Sequence, residues 1–218
     1  MEDAKRPLEG IKVLEMATFI AVPAVGRILA DLGAEVVKIE SAKGDNLRFT
    51  APNEGRPSDP HEDINFDLEN SGKKGIVVDL RTDKGREILF KLLDDTDVFL
   101  TNWRPQALAR KNLTYEDLKG RYPSLVYASL TGYGEKGPDK DLPGFDYTAF
   151  FARSGWSGSL YQKGTVPSNL IPAIGDHQGA LALTVGVLAA LFRAKMTGKG
   201  EKVTTNLLHT AVWVQSFQ

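Results

Sequence analysis

The chain has 218 residues, 42% of them hydrophobic and 25% charged, with a formal net charge of −1 and no cysteine. That balance belongs to a globular domain large enough to bury a core. It provides no global field for nucleic acid or an anionic membrane surface, and it excludes a disulfide framework, a thiolate metal site and a cysteine nucleophile. No apolar stretch follows the charged start, Met1 to Pro7, so no secretory signal is read there. The longest apolar run, Ala180 to Phe192, has 13 residues. A membrane span needs about 20, so a buried helix and a cytoplasmic protein are expected.

In chain order, Ile11 to Glu15 reads as a strand. Pro23 opens a helix through Asp31 that Gly33 closes, and Ala34 to Glu40 reads as a second strand. Strand, helix and strand at this spacing form a βαβ unit with a right-handed crossover. The pattern recurs with a strand at Gly75 to Leu80, a helix at Asp83 to Leu93 and a strand at Asp97 to Leu100. A short helix follows from Tyr115, capped by Thr114 with Asp117 closing a capping box, and then a strand at Leu125 to Leu130. Two stretches break the rhythm, Thr50 to Asp63 and Gly132 to Gly144; both read as long exposed loops. Gly198 to Gly200 makes a turn, Glu201 to Leu207 a strand, and a helix begins near His209. The apolar residues Val212, Trp213, Val214 and Phe217 of that helix need a covering surface, so the natural chain is expected to continue past Gln218. Alternation of this kind predicts an α/β fold, a Rossmann-like open parallel sheet with helices on both faces.

The first strand–helix loop, Ala17 to Pro23, has no glycine before Gly26. A dinucleotide fold needs glycines there so that its backbone can approach a pyrophosphate. Glu40, at the end of the second strand, imitates a ribose-binding acid, but the phosphate grip is missing. A nucleotide-dependent oxidoreductase is therefore the rival reading. The segment Pro172 to Gly179 is the strongest local candidate for chemistry. Asp176 stands at the start of a long apolar helix, either as its N-cap or as an ionised carboxylate favoured by the helix N-terminus. The small neighbours Gly175 and Gly179 leave room for a bulky ligand. His177 reads as a base or as a hydrogen-bonded structural histidine. Lys73, Lys74, Arg104 and Arg110 are solvated charges singly; together at one sheet edge they offer a phosphate surface. Trp103 beside them stacks on an adenine or belongs to the core.

These residues also carry a resemblance. Leu8-Glu-Gly-Ile-Lys-Val-Leu-Glu15, Ala21-Val-Pro23 and Leu29-Ala-Asp-Leu-Gly-Ala-Glu-Val-Val-Lys-Ile-Glu40 resemble the opening of family III CoA-transferases. So do Asn70-Ser-Gly-Lys-Lys-Gly-Ile-Val-Val-Asp-Leu80, Asn102-Trp-Arg-Pro105 and Ser129-Leu-Thr-Gly-Tyr-Gly134. Gly175-Asp176 with its long helix resembles the nucleophile segment, and Thr197-Gly-Lys-Gly200 the turn after it. The match runs in order along essentially the whole chain.

The resemblance implies coenzyme A as a substrate, an acyl-CoA and a small carboxylic acid as partners, and no metal. It makes Asp176 the nucleophile: its carboxylate attacks the acyl-CoA thioester and forms a mixed anhydride. CoA thiolate then converts the anhydride to an aspartyl-CoA thioester, and the acceptor acid reverses the sequence. For CoA it implies Thr18, Phe19, Ile20 and Ala21, the pair Lys73 and Lys74, Asn102, Trp103, Arg104, Arg110 and Tyr133. Phe19 and Ile20 depart from members with polar residues there, and Thr131 from members with lysine. The loop from Gly132 to Tyr147 is closest to the anaerobic, amino-acid-fermenting branch acting on 2-hydroxy acids such as phenyllactate or 2-hydroxyisocaproate. Phe145, Tyr147 and Phe151 are the residues expected to line an acid pocket. The family also implies that residues 1–218 are an incomplete large domain. A small domain, a returning carboxyl-terminal segment, a glycine-rich covering loop and an interlocked homodimer belong to its full-length members. This stretch alone is then expected to be an inactive CoA-binding piece.

Overall fold

A computed structural model describes residues 6–57, 59, 63–166 and 170–216. Its centre is one parallel sheet of six strands. In chain order the elements are β1 (Lys12–Met16), α1 (Ala21–Asp31), β2 (Glu35–Glu40), α2 (Ile64–Asn70), β3 (Lys74–Val77), α3 (Asp83–Leu93), β4 (Val98–Thr101), α4 (Pro105–Ala109), α5 (Tyr115–Leu118), β5 (Val126–Thr131), α6 (Trp156–Ser159), α7 (Ile174–Thr197), β6 (Lys202–Asn206) and α8 (Leu207–Val214). The spatial order is β3-β2-β1-β4-β5-β6. This is the doubly wound arrangement, whose strand order reverses between β1 and β4 and opens a crevice at the carboxyl ends of those strands.

The four inner strands, β2, β1, β4 and β5, are largely buried on both faces, as parallel strands under helices must be, while the edge strands β3 and β6 are more exposed. Their two-residue period splits the apolar residues between two cores. Val13, Val98, Leu100, Val126, Ala128 and Leu130 pack with α1 and α7 on one face. Leu14, Met16, Phe99 and Tyr127 pack with Leu89, Leu93, Leu113 and Leu118 on the other. Local signals agree with the elements they start. Thr82 Oγ1 accepts the Gly85 N–H at 3.0 Å at the head of α3, and the Thr114–Asp117 capping box opens α5.

Some expectations needed correction. Asp63 does not end a loop; its Oδ1 caps α2 by accepting from Asn65 and Phe66 N–H groups at 2.9 and 3.0 Å. Short 3-10 turns at Asn46–Phe49 and Ala51–Glu54 precede it, and residues 58 and 60–62 of the expected loop lie outside the described residues. A wide π-helical turn, Asp146–Ala152, follows the second irregular stretch. Helix α7 is longer than its apolar run suggests, at 24 residues, and by length and composition alone it could cross a membrane. Here it is a core helix packed on α1, β5 and β6. Two glycines permit that closeness. A Cβ on Gly186 would stand 2.6 Å from Val203, and one on Gly179 3.0 Å from Leu130.

Candidate active site

At the switch point lies a cavity of about 480 Å³. The loop after β1 supplies Thr18, Phe19, Ile20 and Ala21; the end of β4 supplies Asn102, Trp103 and Arg104; the start of α7 supplies Asp176. Eight of the predicted residues thus converge, although they span most of the chain. Asn102 fixes the first loop, because its Oδ1 accepts the Thr18 N–H at 3.1 Å while its Nδ2 donates to Thr18 O at 2.7 Å. Phe19 adopts a left-handed backbone, φ 62°, and its N–H donates to Asp45 Oδ1 at 3.0 Å. Trp103 packs partly on the second core and also lines the cavity. Arg104 is exposed on the rim.

Asp176 is not the cap of its helix. The N-cap is Ala173, in a left-handed conformation at φ 69°, and Asp176 lies in the first turn. The turn is anchored by another carboxylate, the buried Asp146. It accepts the Ala173 N–H through Oδ2 and the Tyr147 N–H through Oδ1, both at 2.7 Å. Burial pushes Asp176 up to about 7, the nearby Asp146 charge pushes the same way, His177 opposes and Glu69 adds a little. The ionised state expected from the helix N-terminus is therefore opposed by desolvation and by a like charge. Asp146 is also raised, first by burial, against the pull of its two backbone donors. Gly175 is obligatory here, since a Cβ would fall 2.5 Å from Phe150 Cγ and 2.9 Å from Asp146 Cβ.

His177 is hydrogen-bonded to a carboxylate. Its Nε2 lies 2.8 Å from Glu69 Oε1 on α2, and that bond raises its pKa against the effect of burial.

Four predicted CoA contacts are not brought to the cavity. Lys73 and Lys74 precede or open β3, at its amino end, so they do not share an edge with Arg104. Lys73 is neither solvated nor free to hold a phosphate. With its side chain 2% exposed, its Nζ donates to Glu15 Oε2 at 2.7 Å, Pro23 O at 2.8 Å and Asn70 Oδ1 at 3.0 Å. Burial draws its pKa down to about 8 in spite of Glu15. The other oxygen of Glu15 pairs with Lys38 at 2.9 Å, and Lys38 pairs with Asp45 at 3.0 Å. Two carboxylates and two ammonium groups thus neutralise one another beneath the first loop. Lys74 is exposed and pairs with Glu35 at 3.1 Å. Arg110 is exposed at the far end of α4, and Tyr133 packs against the first core. Phe145 and Tyr147 do line the cavity. Phe151 does not; it is buried and borders a separate apolar pocket of about 330 Å³ with Trp156, Leu160 and Ile174. Glu40, the ribose mimic, is engaged by Arg48 at 2.8 Å.

Sequence reasoning missed Asp146, Asp45 and Lys140, the last an exposed cation of the cavity lining. For the two acids a signal existed. Each follows a glycine turn closely, at Gly44 and Gly144, where an acid serves backbone N–H groups more often than solvent. Among the described residues no group of three His, Asp or Glu side chains could hold a metal ion.

An open parallel sheet with a partly buried carboxylate at its switch point defines a Rossmann-like α/β domain. The chain belongs to CoA-transferase family III, whose model matches residues 8–218. It is 57% identical over 213 residues to the cinnamoyl-CoA:phenyllactate CoA-transferase of Clostridium sporogenes, covering 98% of this chain and 52% of that protein. It is 48% identical over 206 residues to the (R)-2-hydroxy-4-methylpentanoate CoA-transferase of Clostridioides difficile, covering 94% of this chain and 52% of that one. A crystal structure of a CAIB/BAIF family protein from Brucella suis superimposes with a TM-score of 0.89 at 33% identity, covering 99% of this chain and 57% of that one. The chain spans about half the length of the curated relatives it matches.

Proposed function

We propose that the protein is a CoA-transferase that moves CoA from an acyl-CoA to a small carboxylic acid, of the 2-hydroxy acid class represented by phenyllactate and 2-hydroxyisocaproate. The observation that carries this reading is the placement of Asp176 in one cavity with the loop Thr18–Ala21 and the segment Asn102–Arg104. The names of the two relatives above support the acid class.

In this reading the Asp176 carboxylate attacks the thioester carbonyl. The C–S bond breaks, CoA leaves as thiolate, and an aspartyl–acyl anhydride forms. Thiolate then attacks the aspartyl carbonyl of the anhydride, which expels the donor carboxylate and leaves an aspartyl-CoA thioester. The acceptor carboxylate attacks that thioester, giving a second anhydride and thiolate. Attack of thiolate on the acceptor's acyl carbon releases the new acyl-CoA and regenerates Asp176. Its raised pKa fits a group that must act as nucleophile and as leaving group in turn. Asn102 holds the first loop for CoA, Trp103 offers a ring to the adenine, and Arg104 with Lys140 provides cations for phosphates. The whole protein is read as a cytoplasmic, interlocked homodimer completed by a second, smaller domain.

The test uses the complete gene product. After incubation with acyl-CoA, hydroxylamine should convert Asp176 to a hydroxamate visible by mass spectrometry, and Asp176→Ala should lose transfer. Normal transfer without that modification would overturn the covalent role.

A further inference from the structure

We infer that Phe19 is a specificity-determining residue, whose ring forms with Phe145 the wall that receives an aromatic or branched aliphatic side chain of the acid. The inference rests on the CoA-transfer reading and narrows its substrate class.

Three observations carry it. Phe19 has φ 62°, a conformation that opposes any side chain and that glycine would adopt freely. A bulky residue held there against its preference points to a use for the side chain. The fold maintains it through Asp45, itself 1% exposed, which accepts the Phe19 N–H at 3.0 Å and is fixed by the buried Lys38. Last, the ring meets Phe145 edge to face, with centroids 5.6 Å apart, and Phe145 is still 52% exposed. The pair does not close into the core. It leaves apolar surface facing the same cavity as Asp176, beside Tyr147 and Leu142.

That surface discriminates among acids by what they carry beyond the carboxylate. An aryl or isobutyl group gains contact with the two rings. A second carboxylate would lose hydration against them without recompense. The cations of the lining, Arg104 and Lys140, are exposed residues. The backbone of the first loop remains available to CoA, so the two roles divide between main chain and side chain.

Phe19→Gly tests the idea with little risk to folding, because glycine suits the left-handed backbone. In the complete gene product, kcat/KM is measured for phenyllactate, 2-hydroxyisocaproate, lactate and succinate as acceptors, with cinnamoyl-CoA as donor. The ratio for phenyllactate over lactate should fall about tenfold or more, and Phe145→Ala should lower it in the same sense. An unchanged ratio in Phe19→Gly, with transfer intact, overturns the inference alone. A wild-type enzyme that charges none of these acids overturns the transfer reading and this inference with it.

Discussion

Asn102 grips Thr18 at both ends of one residue, accepting its N–H at 3.1 Å and donating to its carbonyl at 2.7 Å. The bracket joins the carboxyl ends of β4 and β1 across the switch point, and the cavity floor depends on it. Asn102→Ala removes both bonds from part-buried groups, at a cost of about 1–3 kcal/mol. The expected result is a lower Tm together with a higher KM for acyl-CoA. A variant with wild-type KM would show that the loop holds its shape without the bracket.

Asp146 tunes Asp176 through charge and holds its turn through hydrogen bonds. In Asp146→Asn the negative neighbour is gone, so the pH profile of kcat/KM for acyl-CoA should move to lower pH. An asparagine can accept from only one of the two N–H groups, so stability should also fall, by about 1–3 kcal/mol. An unshifted profile would mean that burial alone sets the acidity of Asp176.

The pKa of Asp176 predicts a pH effect of definite sign. At about 7 in the folded protein and about 3.9 in an unfolded chain, the native state binds more protons throughout that interval. Stability therefore falls as pH rises from about 4 to 7. His177 acts in the same direction, because its raised pKa gives stability present at low pH and lost as pH rises. Asp176→Asn removes the aspartate's share, so the Tm advantage of the variant over wild type should be larger at pH 7.5 than at pH 5. Transfer by the wild type should rise with pH through about 7, as the carboxylate ionises. A pH-independent Tm difference would refute the assignment.

Lys73 and Lys74, adjacent in sequence, should behave oppositely. Lys73→Met leaves a buried Glu15 oxygen without its partner, a loss of about 3–5 kcal/mol. Lys74→Ala breaks an exposed pair worth about 0–1 kcal/mol. Urea denaturation of the complete gene product checks both. If CoA phosphates rely on Lys74, its alanine variant should lower CoA affinity at unchanged stability.

Gly175→Ala places a methyl group 2.5 Å from Phe150 Cγ. The first turn of α7 must shift, which should cost about 1–3 kcal/mol and displace Asp176. Transfer should fall by far more than stability does. A fully active alanine variant would show that the position of Asp176 is loosely specified.

The alternation of Val13 with Leu14 and of Val98 with Phe99 repeats in every central strand, so the α/β architecture was legible from residue type alone. The order of family segments singled out Asp176, Asn102 and the first loop in the same way. What escaped were roles that depend on partners far off in sequence. Lys73 looks like a surface charge until the Glu15 carboxylate is seen above it, and Asp146 looks like a loop acid until Ala173 comes to it. Helix α2 was hidden because two of its three apolar residues, Ile64 and Leu68, face outward and only Phe66 is buried, while Glu69 and Asn70 are buried for their bonds. No hydrophobic period can report that inversion.

Strand β1 is the first of the six in chain order and among the most central. One of its edges finds β2 almost at once, but the other waits for β4, which follows two further helices. During synthesis the backbone of Val13 to Met16 therefore presents an open, apolar edge, the kind that recruits other chains. Slow codons between β2 and β4 should accordingly reduce the yield of correctly folded protein more than slow codons after β5.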